Sequence, residues 1–156
     1  MTFDIHPLTS EDQPMLWDFL HHAIYIPAGE ERPQKAILNE PDIALYAAGW
    51  GRDGDMGLKD LDNGTPVGAV WLRLIHGYGH VAGDIPELTI AVLPAFRGQG
   101  IGTELLKELI DIASQRYRGI SLSVVGDNPA MRLYEKLGFQ IVRPDGASYT
   151  MLLRMG

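Results

Sequence analysis

A mixed α/β (α+β) fold is what the sequence predicts: a mostly antiparallel central sheet of six to seven strands flanked by about four helices. Three observations carry it. Segments with apolar residues in strand-like register outnumber those with a helical period. Two of the gaps between strands hold helical patterns, which requires at least one βαβ crossover. Asp62-Asn63-Gly64 and Pro144-Asp145-Gly146 are turns that fold neighbouring strands back antiparallel. At 156 residues, 46% apolar and 21% charged, the chain has the size and composition of one globular domain spanning 1–156.

Taken in order, Phe3 and Ile5 alternate as a short strand. LTSEDQ then opens a helix, with Ser10 and Gln13 at capping-box spacing and Thr9 as the alternative cap. Met15, Leu16, Phe19, Leu20 and Ile24 recur at helical intervals, and Pro27 with Gly29 stops the pattern. Between Glu30 and Gly57, Pro33 and Pro41 each suit a first helical turn, and Ile43, Leu45, Tyr46 and Trp50 suit one packed face. Two short helices ending near Gly49 and Gly51 are expected there. The period then changes to two, with strands near Met56–Leu61 and Val67–Leu74 joined by the Asn-Gly turn.

After the glycine-rich HGYGHVAGD, ELTIAV reads as a buried strand. Ile101, Leu105, Leu109, Ile112 and Ala113 mark one face of a helix of about four turns. ISLSVV is another short apolar strand. NPAMRLYEKLG follows as a helix, with Pro129 in its first turn and Gly138 past its end. FQIV and YTMLL close the sheet.

Composition excludes several functions. There is no cysteine, hence no disulfide, thiolate nucleophile or thiolate metal site, which fits a reducing, cytoplasmic setting. Twenty acidic against thirteen basic residues give a net charge of −7, the wrong sign for a sequence-independent grip on nucleic acid. The polar, acidic start is unlike a secretory or transit peptide, and no apolar run approaches the ~18 residues of a membrane span. His76 and His80 are separated by glycines and His21-His22 diverge on a helix, so no metal pair is expected. Trp17, Trp50 and Trp71 read as core or pocket wall, and the acidic Glu30, Glu31 and Asp84 as solvated surface, with attraction of a cationic amine acceptor as the alternative.

The chemistry concentrates after the ELTIAV strand. Arg97-Gly98-Gln99-Gly100-Ile101-Gly102 lies between a strand and a helix, an anion-binding layout in which glycines let the backbone approach a ligand and the helix start offers unpaired N–H groups. A P-loop would need a lysine after its last glycine, and Thr103 and Glu104 stand there. A dinucleotide fingerprint would need glycine at 103. What fits is R-x-x-G-x-G, with Arg97, Gly100 and Gly102 at the defining positions, followed some thirty residues on by Asn128 and Leu133-Tyr134-Glu135-Lys136-Leu137-Gly138-Phe139. These two motifs resemble those of the GNAT N-acetyltransferases, and the resemblance covers about residues 65–142.

The resemblance implies a GNAT fold that uses acetyl-CoA as co-substrate. It implies that Ile90, Ala91 and Val92 pair through their backbones with the pantetheine arm. It implies that the N–H groups of Gly98, Gln99, Gly100, Ile101, Gly102 and Thr103 hold the pyrophosphate beside Arg97, that Asn128 contacts the pantetheine, and that Tyr134 protonates the departing CoA thiolate. A phenol of ordinary pKa near 10 is protonated at neutral pH and suits that task. The general base is Glu87, at a position where family members carry a glutamate, or a chain of waters. Ser123 stands five residues before Asn128, where the family's ribosomal-protein acetyltransferases carry a carboxylate. Because CoA is anionic, Arg97, Arg132 and Lys136 are expected to supply a local positive patch.

The expected function is transfer of an acetyl group to a primary amine of a small molecule or peptide by direct attack in a ternary complex. The alternatives are a non-catalytic acyl-CoA-binding module and a transferase of another short acyl group. The acceptor should be set by Glu30–Gly57 and Asp145–Ser148. Family members are often dimers, so a homodimer is the implied assembly.

Overall fold

A computed structural model describes residues 3–156. Seven strands form one sheet in the order β1-β2-β3-β4-β5-β7-β6. They are β1 (Phe3–Pro7), β2 (Met56–Asp62), β3 (Thr65–Arg73), β4 (Glu87–Val92), β5 (Gly119–Val125), β6 (Gln140–Asp145) and β7 (Ser148–Arg154). Four helices accompany them: α1 (Gln13–Ala23), α2 (Pro41–Ala44), α3 (Ile101–Ala113) and α4 (Ala130–Lys136). Every pairing is antiparallel except β4 with β5. Among the described residues no helix is long and apolar enough to cross a membrane.

β3 shows why two helical layers are needed. Its side chains alternate between faces, so Val70 and Leu72 meet Leu105, Leu106 and Leu109 of α3, while Ala69 and Trp71 meet Leu16, Phe19 and Leu20 of α1. Both sets are buried, which makes β3 read as one continuous apolar run. Trp50 and Trp71 belong to the α1 layer and Trp17 packs against it.

Several boundaries differ from expectation. The cap before α1 is the Thr9–Asp12 box, with Thr9 N–H donating to Asp12 Oδ2 at 2.8 Å; Ser10 is not the cap. The α1 helix ends at Ala23, and Ile24 is already extended. On α3, Ile112 is 43% exposed and Leu106 is buried in the core. Between Glu30 and Gly57 the helices are a 3₁₀ turn over Lys35–Asn39 and the four-residue α2, both ending well before Gly49, and Pro33 lies ahead of the first.

The Asn63-Gly64 turn is as expected: both residues have positive φ, 50° and 85°, as a type I′ hairpin requires. The last hairpin turns one residue pair later than its Pro-Asp-Gly suggests. Asp145 pairs with Ser148, and Gly146 (φ 61°) opens a two-residue loop, while Pro144 stays in β6. An edge strand tolerates that proline because one side of it needs no N–H donor.

The feature that positions the site is the contact between β4 and β5. Their single registered pair is Glu87 with Ser121, reinforced by Ser121 N–H to Pro86 O at 3.0 Å. Beyond it the two strands part.

Candidate functional site

The splay leaves one edge of β4 without a partner strand. Leu93 N–H bonds to Val67 O on β3, so alternation turns the main-chain groups of Ala91 toward β3 and those of Ile90 and Val92 toward the gap. Two cavities open there, of about 510 and 440 Å³, sharing the walls Tyr25, Ile90, Asn128 and Tyr134.

The smaller cavity lies against the start of α3 and carries the positive charge. Arg97, Arg32 and His22 line it together with Val92, Gly102 and Ala130. Arg97 donates from Nε to Val92 O at 3.2 Å, tying the loop to the strand end. Gly98 and Gly100 have φ of 78° and 83°, and a Cβ on either would meet nothing within 4 Å, so their faces are open to a ligand. Gly100 caps α3 with no side chain. The first-turn N–H groups have no partner inside a helix, and Glu104 is the first to bond back, to Gly100 O at 3.1 Å. Burial first, then the neighbouring Arg32, pulls the His22 pKa down.

Arg132 and Lys136 do not line this cavity; Arg32 does, and sequence reasoning missed it. It sits in a segment with no periodic signal. Arg32 Nη1 donates to His21 O at 2.7 Å at the carboxyl end of α1, where a cation is favoured.

Asn128 and Tyr134 stand where the cavities meet. Asn128 Oδ1 accepts from Ala130 N–H at 2.9 Å, which caps α4 and leaves the amide donors for a ligand. Tyr134 is 7% exposed, leans on Phe139 at 5.8 Å between ring centroids, and its hydroxyl makes no hydrogen bond among the described residues. Burial pushes its pKa up to about 12, so it is a proton donor across the neutral range.

Glu87 lines neither cavity. It is buried, and its carboxyl accepts from Gly77 N–H (2.6 Å), Gly79 N–H (2.8 Å) and the Tyr46 hydroxyl (2.9 Å). Tyr46 does line the larger cavity, and its oxygen also accepts from Tyr78 N–H at 2.9 Å. Burial, and then Glu87, raise the Tyr46 pKa, keeping this phenol neutral. The glycine loop is packed so closely that a Cβ on Gly79 would lie 2.6 Å from the Leu122 carbonyl carbon. His76 and His80 stack face to face at 3.8 Å on the same loop.

The larger cavity draws on the segments expected to set the acceptor: Ile43 and Tyr46 from one, Asp145 and Ser148 from the other, with Ser123 on β5. Tyr25 and Tyr78 complete it, and neither was singled out by the sequence.

Comparison with known proteins bears on the family and the fold. A family model described as the acetyltransferase (GNAT) family matches residues 17–139. An uncharacterized protein of Mycobacterium leprae is 49% identical over 147 residues, covering 88% of this chain and 38% of its own. The chain spans 36–44% of the length of three such curated relatives. The ribosomal-protein-S18-alanine N-acetyltransferase of Escherichia coli superposes with a TM-score of 0.71 at 23% identity, covering 99% of this chain and 95% of that one. A GNAT acetyltransferase of Brucella melitensis in complex with acetyl-CoA superposes at 0.63 and 23% identity, covering 99% and 89%. The two structures share the fold of this chain.

Proposed function

Because the chain belongs to the acetyltransferase (GNAT) family, we propose that it moves an acetyl group from acetyl-CoA to a primary amine of a small molecule or peptide, by direct attack in a ternary complex. Residues 1–156 form one such domain in this reading, working in the cytoplasm as the composition suggests. The observation that carries it is the pair of cavities meeting at Ile90 and Tyr134, one cationic and beside an uncapped helix, the other free of cations.

In this reading the pyrophosphate rests on the N–H groups of Gly98 through Thr103, near Arg97 and Arg32, where helix-start donors and positive charge favour an anion. The pantetheine arm lies along β4, taking the free main-chain groups of Ile90 and Val92 as an added strand would, flanked by Ala91 and the Asn128 amide. This brings the thioester to Tyr134.

The acceptor must lose a proton before it attacks. Glu87 supplies the base in this scheme through Tyr46, because the phenol reaches the cavity and its own proton already points at Glu87. The Tyr46 oxygen has one lone pair not taken by Tyr78, so it can accept a proton from the ammonium as it passes its own to Glu87. The amine nitrogen then bonds to the thioester carbon. As the C–S bond breaks, the thiolate takes its proton from Tyr134, and no acetylated protein residue forms.

CoA thiol release, followed across pH with a panel of amines, tests the scheme. Tyr134→Phe should lower kcat about a hundredfold or more with little effect on KM. An unchanged kcat at every pH removes Tyr134 as the acid. Tyr46→Phe leaves the Glu87 bonds to Gly77 and Gly79 in place, and its deficit should shrink as rising pH deprotonates the amine in solution. A deficit that does not vary with pH assigns Tyr46 to loop packing instead.

A further inference from the structure

The two halves of the cleft carry opposite charge. The half beside α3 has Arg32, Arg97 and His22 on its walls. Among the residues lining the acceptor half there is no Lys, Arg or His, and Asp145 is the one charged group. The rest is phenol, hydroxyl, the Asn128 amide and aliphatic surface, with Tyr25, Tyr46 and Tyr78 alongside Leu20 and Ile43. Asp42 and Glu40 lie close enough to the rim that, after burial, they are what raises the Tyr78 pKa. The Glu87 carboxyl stands directly behind Tyr46. The cation nearest Asp145 along β6 is Arg143; it does not line the cavity, and its guanidinium donates to His80 O at 2.7 Å.

A ligand with a carboxylate or phosphate next to its amine would have to leave water for a cavity with no cation to receive it, facing several carboxylates. An ammonium on an uncharged body meets the reverse: attraction at the mouth, then hydroxyls and apolar walls within. We propose that the acceptor is a cationic primary amine whose surroundings within a few bonds of the nitrogen are uncharged and partly apolar, and that Asp145 selects for it. An amine, an amino-acid amide or a peptide amino terminus has this chemistry. A free α-amino acid does not. The inference rests on the acetyltransfer reading and narrows it.

The experiment compares CoA release by the full chain with tyramine, tyrosinamide and tyrosine, and with the matching set built on phenylalanine, each kcat/KM expressed per protonated amine. Melting with acetyl-CoA is measured in parallel. The amine and the amide should exceed the free acid by about ten-fold or more. Asp145→Asn should narrow that gap and Asp145→Lys close or invert it; Asp145 is an exposed strand-end residue, so both variants should fold. A free acid that is turned over as well as its amide overturns the proposal. So does a gap unmoved by Asp145→Lys, or turnover of no member of either set by a protein that acetyl-CoA stabilises; in that last case the acetyltransfer reading survives alone. No stabilisation by acetyl-CoA removes the acetyltransfer reading and this one with it.

Discussion

Asp60, on β2, is fully buried, and neither of its carboxyl oxygens has a hydrogen-bond partner of good geometry among the described residues. Burial above all, then Glu104 and Asp4, raises its pKa. A carboxyl raised in the folded state binds its proton more tightly there than in the unfolded chain. Its contribution is therefore most favourable below the ordinary carboxylate range and is lost as pH rises through that range to the raised value. Asp60→Asn cannot ionise and escapes that loss. The variant should gain about 1 kcal/mol at pH 7, the low end of the cost of an unsatisfied buried polar group, and nothing near pH 4. Urea unfolding at the two pH values checks it, and equal stability of variant and parent at pH 7 counts against a strained carboxylate. Alternation from the buried Leu58 places Asp60 on the inward face of β2, but the Leu58–Leu61 spacing breaks the apolar period there and hides it in the sequence.

At the scale of elements, α3 and the loop before it hold the cofactor in the proposed scheme, and both were legible as structure. A glycine-rich turn between a β-run and a helical run has few physical readings, and the positive φ of Gly98 and Gly100 explains why glycine stands there. Gly100→Ala tests this. The space around it is open, so the fold should lose only about 1 kcal/mol, the cost of holding alanine left-handed. The KM for acetyl-CoA should rise well beyond what that loss explains, because the methyl group stands where the pyrophosphate must approach. A KM within twofold of the parent would put the pyrophosphate elsewhere. Residues 45–55, the segment that carries Tyr46, were illegible for an equally physical reason. Several of its carbonyls are satisfied by side chains of β3 and its N–H groups by short local turns and Asp55, not by a repeating ladder. Trp71 Nε1 donates to Tyr46 O (2.9 Å), Arg73 donates to Leu45 O (2.9 Å), Ala48 O (2.7 Å) and Asp55 (3.1 Å), and Asp55 accepts from Gly51 and Arg52 N–H (both 3.0 Å). The Arg73–Asp55 pair is almost wholly buried. A segment held this way has no period to read.

For the whole molecule, a net charge of −7 should repel CoA, and the fold answers by drawing cations from separated segments to one side of the cleft. Arg97 was expected there together with Arg132 and Lys136, but those two do not line the cavity and Arg32 does. Only the chain's return past the end of α1 brings Arg32 in. Attraction against an overall repulsive charge is strongly screened, since the Debye length falls from about 10 Å at 0.1 M salt to about 3 Å at 1 M. The KM for acetyl-CoA should therefore climb with ionic strength while kcat holds. Arg32→Ala should raise that KM about ten-fold at low salt, the equivalent of one charge-assisted hydrogen bond, and flatten the salt dependence. Melting gives an independent reading, because acetyl-CoA at about a hundred times its Kd adds ~2.7 kcal/mol of stability. At the same ligand concentration Arg32→Ala should show a smaller rise, whereas a rise equal to the parent's, with kcat reduced instead, would move Arg32 from holding the phosphates to supporting the fold around Tyr134.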